Sequence, residues 1–237
     1  MINLYGILIS LSLLICIFII RYLSRYNSVI SKGRELIWDI SFWGIMSGLI
    51  GARILHVLSF LPYYQYNPIR ILFLWQGGLS IWGALLGGTL GIILFLRIKN
   101  IKPFSWLDIF SVTLPLGQAI GRWGNYFNKE IYGGHTNLPW GININGSKHH
   151  PLFLYESVLN IVNFLFLFTL YKKKGNTSKP GYFFHLYLFN YSLIRLFMEF
   201  LRTDHWFIGK LNISLIIPIL LIIIIYTSMY VNYFRKK

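Results

Sequence analysis

Apolar stretches of about 20 residues, the length that carries a helix across the hydrocarbon core of a bilayer, follow one another along almost the whole of this chain. They fall near 4–20, 36–58, 79–96, 104–121, 151–171, 182–200 and 212–230. Little sequence is left for a separate soluble domain. Only 12% of the residues are charged, where a soluble domain carries about a quarter. The expected fold is therefore all-α, with seven transmembrane helices in a single integral membrane domain over residues 1–237 and a small loop region outside the membrane. Gly44, Gly48 and Gly51 in the second stretch and Gly83, Gly87, Gly88 and Gly91 in the third have the spacing that lets membrane helices approach closely. Pro115 and Pro218 fall inside spans, where membrane helices tolerate them.

The 22 lysines and arginines against 7 aspartates and glutamates give a net charge of +15, which in a soluble protein would point to nucleic acid. Their positions supply a different reason. Fourteen of them lie at Arg21, Arg25, Lys32 and Arg34, at Arg97, Lys99 and Lys102, at Lys172, Lys173, Lys174 and Lys179, and in the tail at Arg235, Lys236 and Lys237. Basic residues flanking short loops stay in the cytoplasm. The N-terminus is thus expected outside and the C-terminus in the cytoplasm, with no nucleic acid as a partner. No basic stretch precedes the first apolar run, which argues against a cleaved signal peptide. Cys16, the one cysteine, excludes a disulfide framework and reads as a packing residue. Ile15 before it is too large for a lipoprotein processing site.

Orientation leaves eight basic residues unexplained: Arg53, Arg70, Arg122, Lys129, Lys148, Arg195, Arg202 and Lys210. Five are arginine, the side chain suited to bidentate phosphate binding, and an ionisable residue inside a span is a functional candidate. The alternative for any one of them is that it reaches to the outer lipid headgroups. Three clusters carry further chemistry. Gly121-Arg122-Trp123-Gly124-Asn125-Tyr126-Phe127-Asn128-Lys129-Glu130 places an arginine beside asparagines and a carboxylate that can fix its fork by hydrogen bonds. His149-His150-Pro151-Leu152-Phe153-Leu154-Tyr155-Glu156 opens the fifth span, with Pro151 suited to a helix start and Glu156 about one turn into the membrane. Tyr191, Arg195, Glu199 and Arg202 lie along one face of the sixth span, where an intrahelical Arg195–Glu199 pair is the plain structural expectation. His56, His135, His149, His150, His185 and His205 lack a paired helical spacing with carboxylates, so no metal site is expected, and no nucleotide loop or other cofactor signal is seen.

These residues resemble the bacterial prolipoprotein diacylglyceryl transferases, a membrane family that attaches a diacylglyceryl group to the cysteine of lipoprotein precursors. The likeness begins at Tyr5-Gly6 and runs through Gly51-Ala52-Arg53, Gly77-Gly78-Leu79-Ser80, the Gly121–Glu130 signature, His150-Pro151 to Tyr155-Glu156, and Glu199-Phe200-Leu201-Arg202-Thr203-Asp204. It implies a multi-pass protein of the bacterial plasma membrane with phosphatidylglycerol, prolipoprotein signal peptides and membrane lipid as partners. By the same resemblance, Arg122, Asn125, Glu130, Arg195 and Arg202 are catalytic candidates. Arg122 also joins Tyr5, Tyr191, Glu199, Asn128, Gly133 and His150 as candidates for holding phosphatidylglycerol. The sequence departs from the pattern at Trp82, where several members have a histidine proposed as the base.

The implied reaction makes two demands: a thiolate, since a free thiol titrates at about 8.5, and neutralisation of the charge that grows on a departing phosphate. Arginines aimed at that phosphate supply about 2.7–4 kcal/mol per donor, by analogy with oxyanion holes. Their field can also favour the thiolate, which is the route this sequence suggests, with Glu130 and His150 as candidate proton acceptors. A solute or lipid transporter with an arginine-lined cavity would carry internal repeats, and none is evident. A repurposed family member that only binds lipid would be supported by Trp82 alone.

Overall fold

The computed structural model describes residues 4–128, 130–203, 205, 207–208 and 211–234, with the backbone alone for Tyr5, Ile208 and 229–234. Helices occupy every one of the seven apolar stretches. They are α1 (Leu4–Leu23), α3 (Leu36–Ser59), α5 (Ile81–Ile98), α6 (Phe104–Phe127), α7 (Leu152–Lys174), α8 (Tyr182–Glu199) and α9 (Ile213–Phe234). Short α2 (Ser28–Lys32) and α4 (Leu61–Tyr66) lie between them, with two small hairpins, β1 (Ile142–Ile144) with β2 (Ser147–His149) and β3 (Phe207–Ile208) with β4 (Leu211–Asn212). The fold is all-α in character, and α1, α3, α5 and α7 are long and apolar enough to cross a membrane.

The chain divides into two compact units, one of residues 28–107 and one of 1–27 with 108–237. In the first, α3 and α5 pack through glycine. A Cβ on Gly83 would stand 2.3 Å from the Gly51 carbonyl oxygen, and one on Gly87 would stand 2.5 Å from that of Ser47. Small residues are needed there because lipid offers no hydrophobic gain to hold helices together, so contact depends on close packing. Leu86, Leu90 and Leu94 of α5, spaced by four, are exposed. Beyond α3 the chain turns back through consecutive positive-φ glycines, Gly77 (84°) and Gly78 (74°). Arg53 fastens this turn: Nε donates to the Ile71 carbonyl (2.8 Å), Nη1 to Gly77 and Gly78 (2.8 and 3.0 Å), and Nη2 to Arg70 and Phe73.

In the second unit, polar side chains of the helices are turned inward. Asp108, Ser111, Thr113 and Asn125 of α6 are buried, and the Asp108 carboxylate accepts from the backbone N–H groups of Gly181 (2.8 Å) and Phe184 (2.9 Å). That places a negative charge at the N-terminus of α8, where orphan donors and the helix dipole favour it. Cys16 is buried and its thiol donates to the Thr113 carbonyl at 3.4 Å, as a packing residue would. Asn190 of α8 donates to Asn163 of α7 at 2.9 Å, and Trp123 of α6 donates to Ser157 of α7 at 3.2 Å. Helices α6, α7 and α8 are thereby stitched by side-chain hydrogen bonds.

Candidate functional site

Three helices each contribute charge to one cluster within the second unit. Arg122 stands in the last two turns of α6, Glu156 in the second turn of α7, and Arg195 and Glu199 at the end of α8. Glu156, only 2% exposed, is the hub. One of its oxygens pairs with Arg122 Nε and the other accepts from Arg195 Nη1 at 2.8 Å. Glu199, 1% exposed, lies between Arg195 (Nη2 at 4.0 Å) and Arg202 (Nε at 3.9 Å). Three guanidiniums therefore meet two buried carboxylates. Arg195 keeps a buried Nε with no acceptor among the described residues, an N–H that is costly to leave unmade.

A second layer runs outward from Arg122. Its Nη1 donates to Asn125 Oδ1 at 3.3 Å, Asn125 Nδ2 donates to Glu130 Oε1 at 3.2 Å, and Asn128 Nδ2 donates to the same oxygen at 3.1 Å. Asn125 thus passes the position of Glu130 to the arginine fork without a direct ion pair. Gly133 sits where three segments meet: its N–H donates to the His150 carbonyl at 3.0 Å, and it bridges Arg202 in antiparallel fashion. A Cβ there would come within 2.6 Å of the Leu201 carbonyl oxygen, so only glycine lets Arg202 come this close. His150 Nδ1 lies 3.3 Å from the Tyr155 hydroxyl. Tyr191 is buried and stacks on Tyr187, with ring centroids 5.9 Å apart, and Tyr187 accepts from Gln118 at 2.9 Å.

Of the sequence candidates, Arg122, Asn125, Asn128, Glu130, Gly133, His150, Tyr191, Arg195, Glu199 and Arg202 all fall within this unit. Tyr5 belongs to it as well, in α1, but its side chain is outside the described residues, as are Lys129, Asp204, Lys210 and 235–237. Trp82 lies in the first turn of α5, in the other unit. The intrahelical Arg195–Glu199 pair is present but long, and Arg195 makes its short contact to Glu156 on the neighbouring helix. Two participants were missed. Glu156 was placed in the membrane but given no partner, although a lone carboxylate in an apolar stretch flanked by arginine-bearing stretches was a usable signal. His205 is the other: its Nδ1 lies 2.7 Å from Glu199 Oε1, a pairing between a helix end and the following loop that no helical spacing announces. No group of three or more histidine, cysteine, aspartate or glutamate residues suited to a metal occurs among the described residues.

A family model described as prolipoprotein diacylglyceryl transferase matches residues 1–231. The phosphatidylglycerol–prolipoprotein diacylglyceryl transferase of Trichormus variabilis is 38% identical over 229 residues, covering 91% of this chain and 80% of that protein. Its counterpart in Finegoldia magna is 38% identical over 219 residues, covering 92% and 86%. The one in Staphylococcus haemolyticus is 37% identical over 233 residues, covering 93% and 80%.

Proposed function

Because the chain belongs to the prolipoprotein diacylglyceryl transferase family, we propose that it moves the diacylglyceryl group of phosphatidylglycerol onto the lipobox cysteine of prolipoproteins. The cysteine sulfur attacks the glycerol carbon that bears the phosphate, the carbon–oxygen bond breaks, and glycerol phosphate leaves as a thioether forms. The observation that carries this reading is the arginine cluster, in which three guanidiniums share two buried carboxylates and Arg195 Nε has no acceptor among the described residues. Such a cluster is built to receive an anion.

In this reading Arg122, Arg195 and Arg202 hold the phosphate and take up the charge it gains, in a buried setting where electrostatic interactions are stronger than in water. Glu156 and Glu199 space the three forks. Asn125, Asn128 and Glu130 orient Arg122, Gly133 admits the backbone beside Arg202, and Tyr5, Tyr191 and His150 complete the phosphatidylglycerol site. The two units act as one transferase domain in the plasma membrane of a bacterium. All seven long helices span the bilayer, with the N-terminus outside and the C-terminus cytoplasmic. The fourteen basic residues on one set of loops support the orientation, and the inward-turned polar residues of α6 and α8 support their crossing.

The test is direct. Purified protein in detergent micelles containing phosphatidylglycerol is incubated with a lipobox peptide, and the peptide is weighed by mass spectrometry. A peptide heavier by one diacylglyceryl group is expected, and an unchanged peptide sinks the reading.

A further inference from the structure

The transfer reaction leaves the proton of the attacking thiol in need of an acceptor. Most histidines are turned to other tasks. His149 is held between the Gly133 carbonyl (Nδ1, 2.9 Å) and Ser147 Oγ (Nε2, 2.9 Å), and the His135 ring lies tilted against it, centroids 4.4 Å apart. His150 meets the Tyr155 hydroxyl, His185 meets the carbonyl of Gly181 on its own helix, and His56 belongs to the other unit, where it packs on Phe60. Glu130, the other candidate acceptor, already takes two amide N–H groups on one oxygen.

His205 is arranged differently. Its Nδ1 lies 2.7 Å from Glu199 Oε1, and the carboxylate is 1% exposed while the imidazole is 31% exposed. An ionised carboxylate only accepts, so Nδ1 carries the proton of this bond, and a neutral ring then keeps its lone pair on Nε2. A buried carboxylate that fixes the tautomer and direction of a partly exposed imidazole is the arrangement that orients a general base. The opposite oxygen of the same carboxylate faces Arg195 and Arg202. Glu199 therefore ties the proton acceptor to the anion-receiving guanidiniums. Among the described residues, the charged groups tied to His205 are Glu199 and, across that carboxylate, Arg195 and Arg202, and the ring of Phe207 lies 6.1 Å from the imidazole.

We infer that His205 is the general base of the transfer, with Glu199 as its positioning residue. This rests on the transferase reading above. The thiol proton passes to His205 Nε2. The sulfur lone pair forms the bond to the glycerol carbon, and the electrons of the carbon–oxygen bond leave with the phosphate toward the guanidiniums. The imidazolium then gives its proton to the departing glycerol phosphate or to water.

The experiment compares a cysteine lipobox peptide with its selenocysteine counterpart, whose selenol ionises without help at neutral pH. With the cysteine peptide, His205→Gln should lose about 100-fold or more in rate, the usual worth of a positioned base. It should also lose the rise in rate with pH that reports deprotonation of that base. With the selenocysteine peptide most of the loss should disappear, whereas Arg122→Lys should be impaired with both peptides because phosphate departure is common to them. Equal losses by His205→Gln with both peptides and an unchanged pH profile would overturn the inference and leave His205 a structural partner of Glu199. If the glutamine variant is recovered poorly, His205→Gly with added imidazole replaces it: restored rate supports the base, and a folded variant that imidazole does not rescue contradicts it. Unaltered protein that modifies neither peptide defeats the transferase reading itself, a result separate from any behaviour of the variants.

Discussion

Arg53 and Arg195 are equally buried, each 6% exposed, yet the two halves of the molecule use them in opposite ways. In residues 28–107 the five N–H groups of Arg53 all go to backbone carbonyls of the turn between α3 and α5. Neutral acceptors pin the chain and exhaust the donors, so nothing is left over for a ligand. In the other unit Arg195 faces the carboxylates of Glu156 and Glu199 and keeps one buried N–H without an acceptor among the described residues. Burial is the same for both arginines; what differs is the count of donors still unspent.

The largest effect should come from removing the charge that holds two arginines together. Glu156→Gln leaves the Arg122 and Arg195 guanidiniums facing a neutral amide in a buried site, and breaking such a pair costs about 3–5 kcal/mol. Chemical denaturation in detergent would show it, and an unaltered midpoint would mean that Glu156 does not organise the cluster. Next comes Arg122→Lys, which keeps the charge but loses the planar fork. The transfer rate should fall about 100- to 1,000-fold, as for loss of one stabilising donor, in protein that still melts normally. Arg53→Lys should do the reverse, lowering stability by about 1–3 kcal/mol for the carbonyls left unpaired while the rate per folded molecule holds. A rate loss matching Arg122→Lys without any loss of stability would erase the contrast between the two regions. Smallest of all, Arg97→Lys on the exposed end of α5 should change neither property. A cysteine introduced anywhere in 172–179 should stay unlabelled by an impermeant reagent in intact cells, and labelling there would reverse the proposed orientation.

How well the sequence foretold each feature depends on how local its cause is. The seven long helices were legible because an apolar stretch announces itself within its own 20 residues or so, and the glycines of α3 and α5 declare a close contact by their spacing. The partner of each glycine was not legible, since Gly83 meets Gly51 across 32 positions. The same holds for the charges. Arg122, Arg195, Glu199 and Arg202 could be picked out one at a time, but the pairing of Glu156 with two arginines on two other helices is a product of packing. The β1–β2 hairpin is another matter. Asn145-Gly146, with φ of 51° and 86°, is a two-residue turn of the kind that hairpins favour. Its signature stands in the sequence between alternating residues, in a segment that the apolar stretches leave to the loop region outside the membrane. His205 had no such local mark, because its partner precedes it by six residues across the end of a helix.

The Gly133 junction and the tip of this hairpin lie only a dozen residues apart, and they set opposite tolerances for chain length. At Gly133 even a methyl group meets Leu201, His150 and Leu152, whereas a Cβ on Gly146 meets nothing within 4 Å. An added residue at 133 would push the strand off Arg202, while several added between 145 and 146 would extend into open space, the kind of exposed turn where insertions are accepted. An epitope or fluorophore placed at that tip would therefore report which side of the membrane the 121–150 segment occupies without disturbing the arginine cluster.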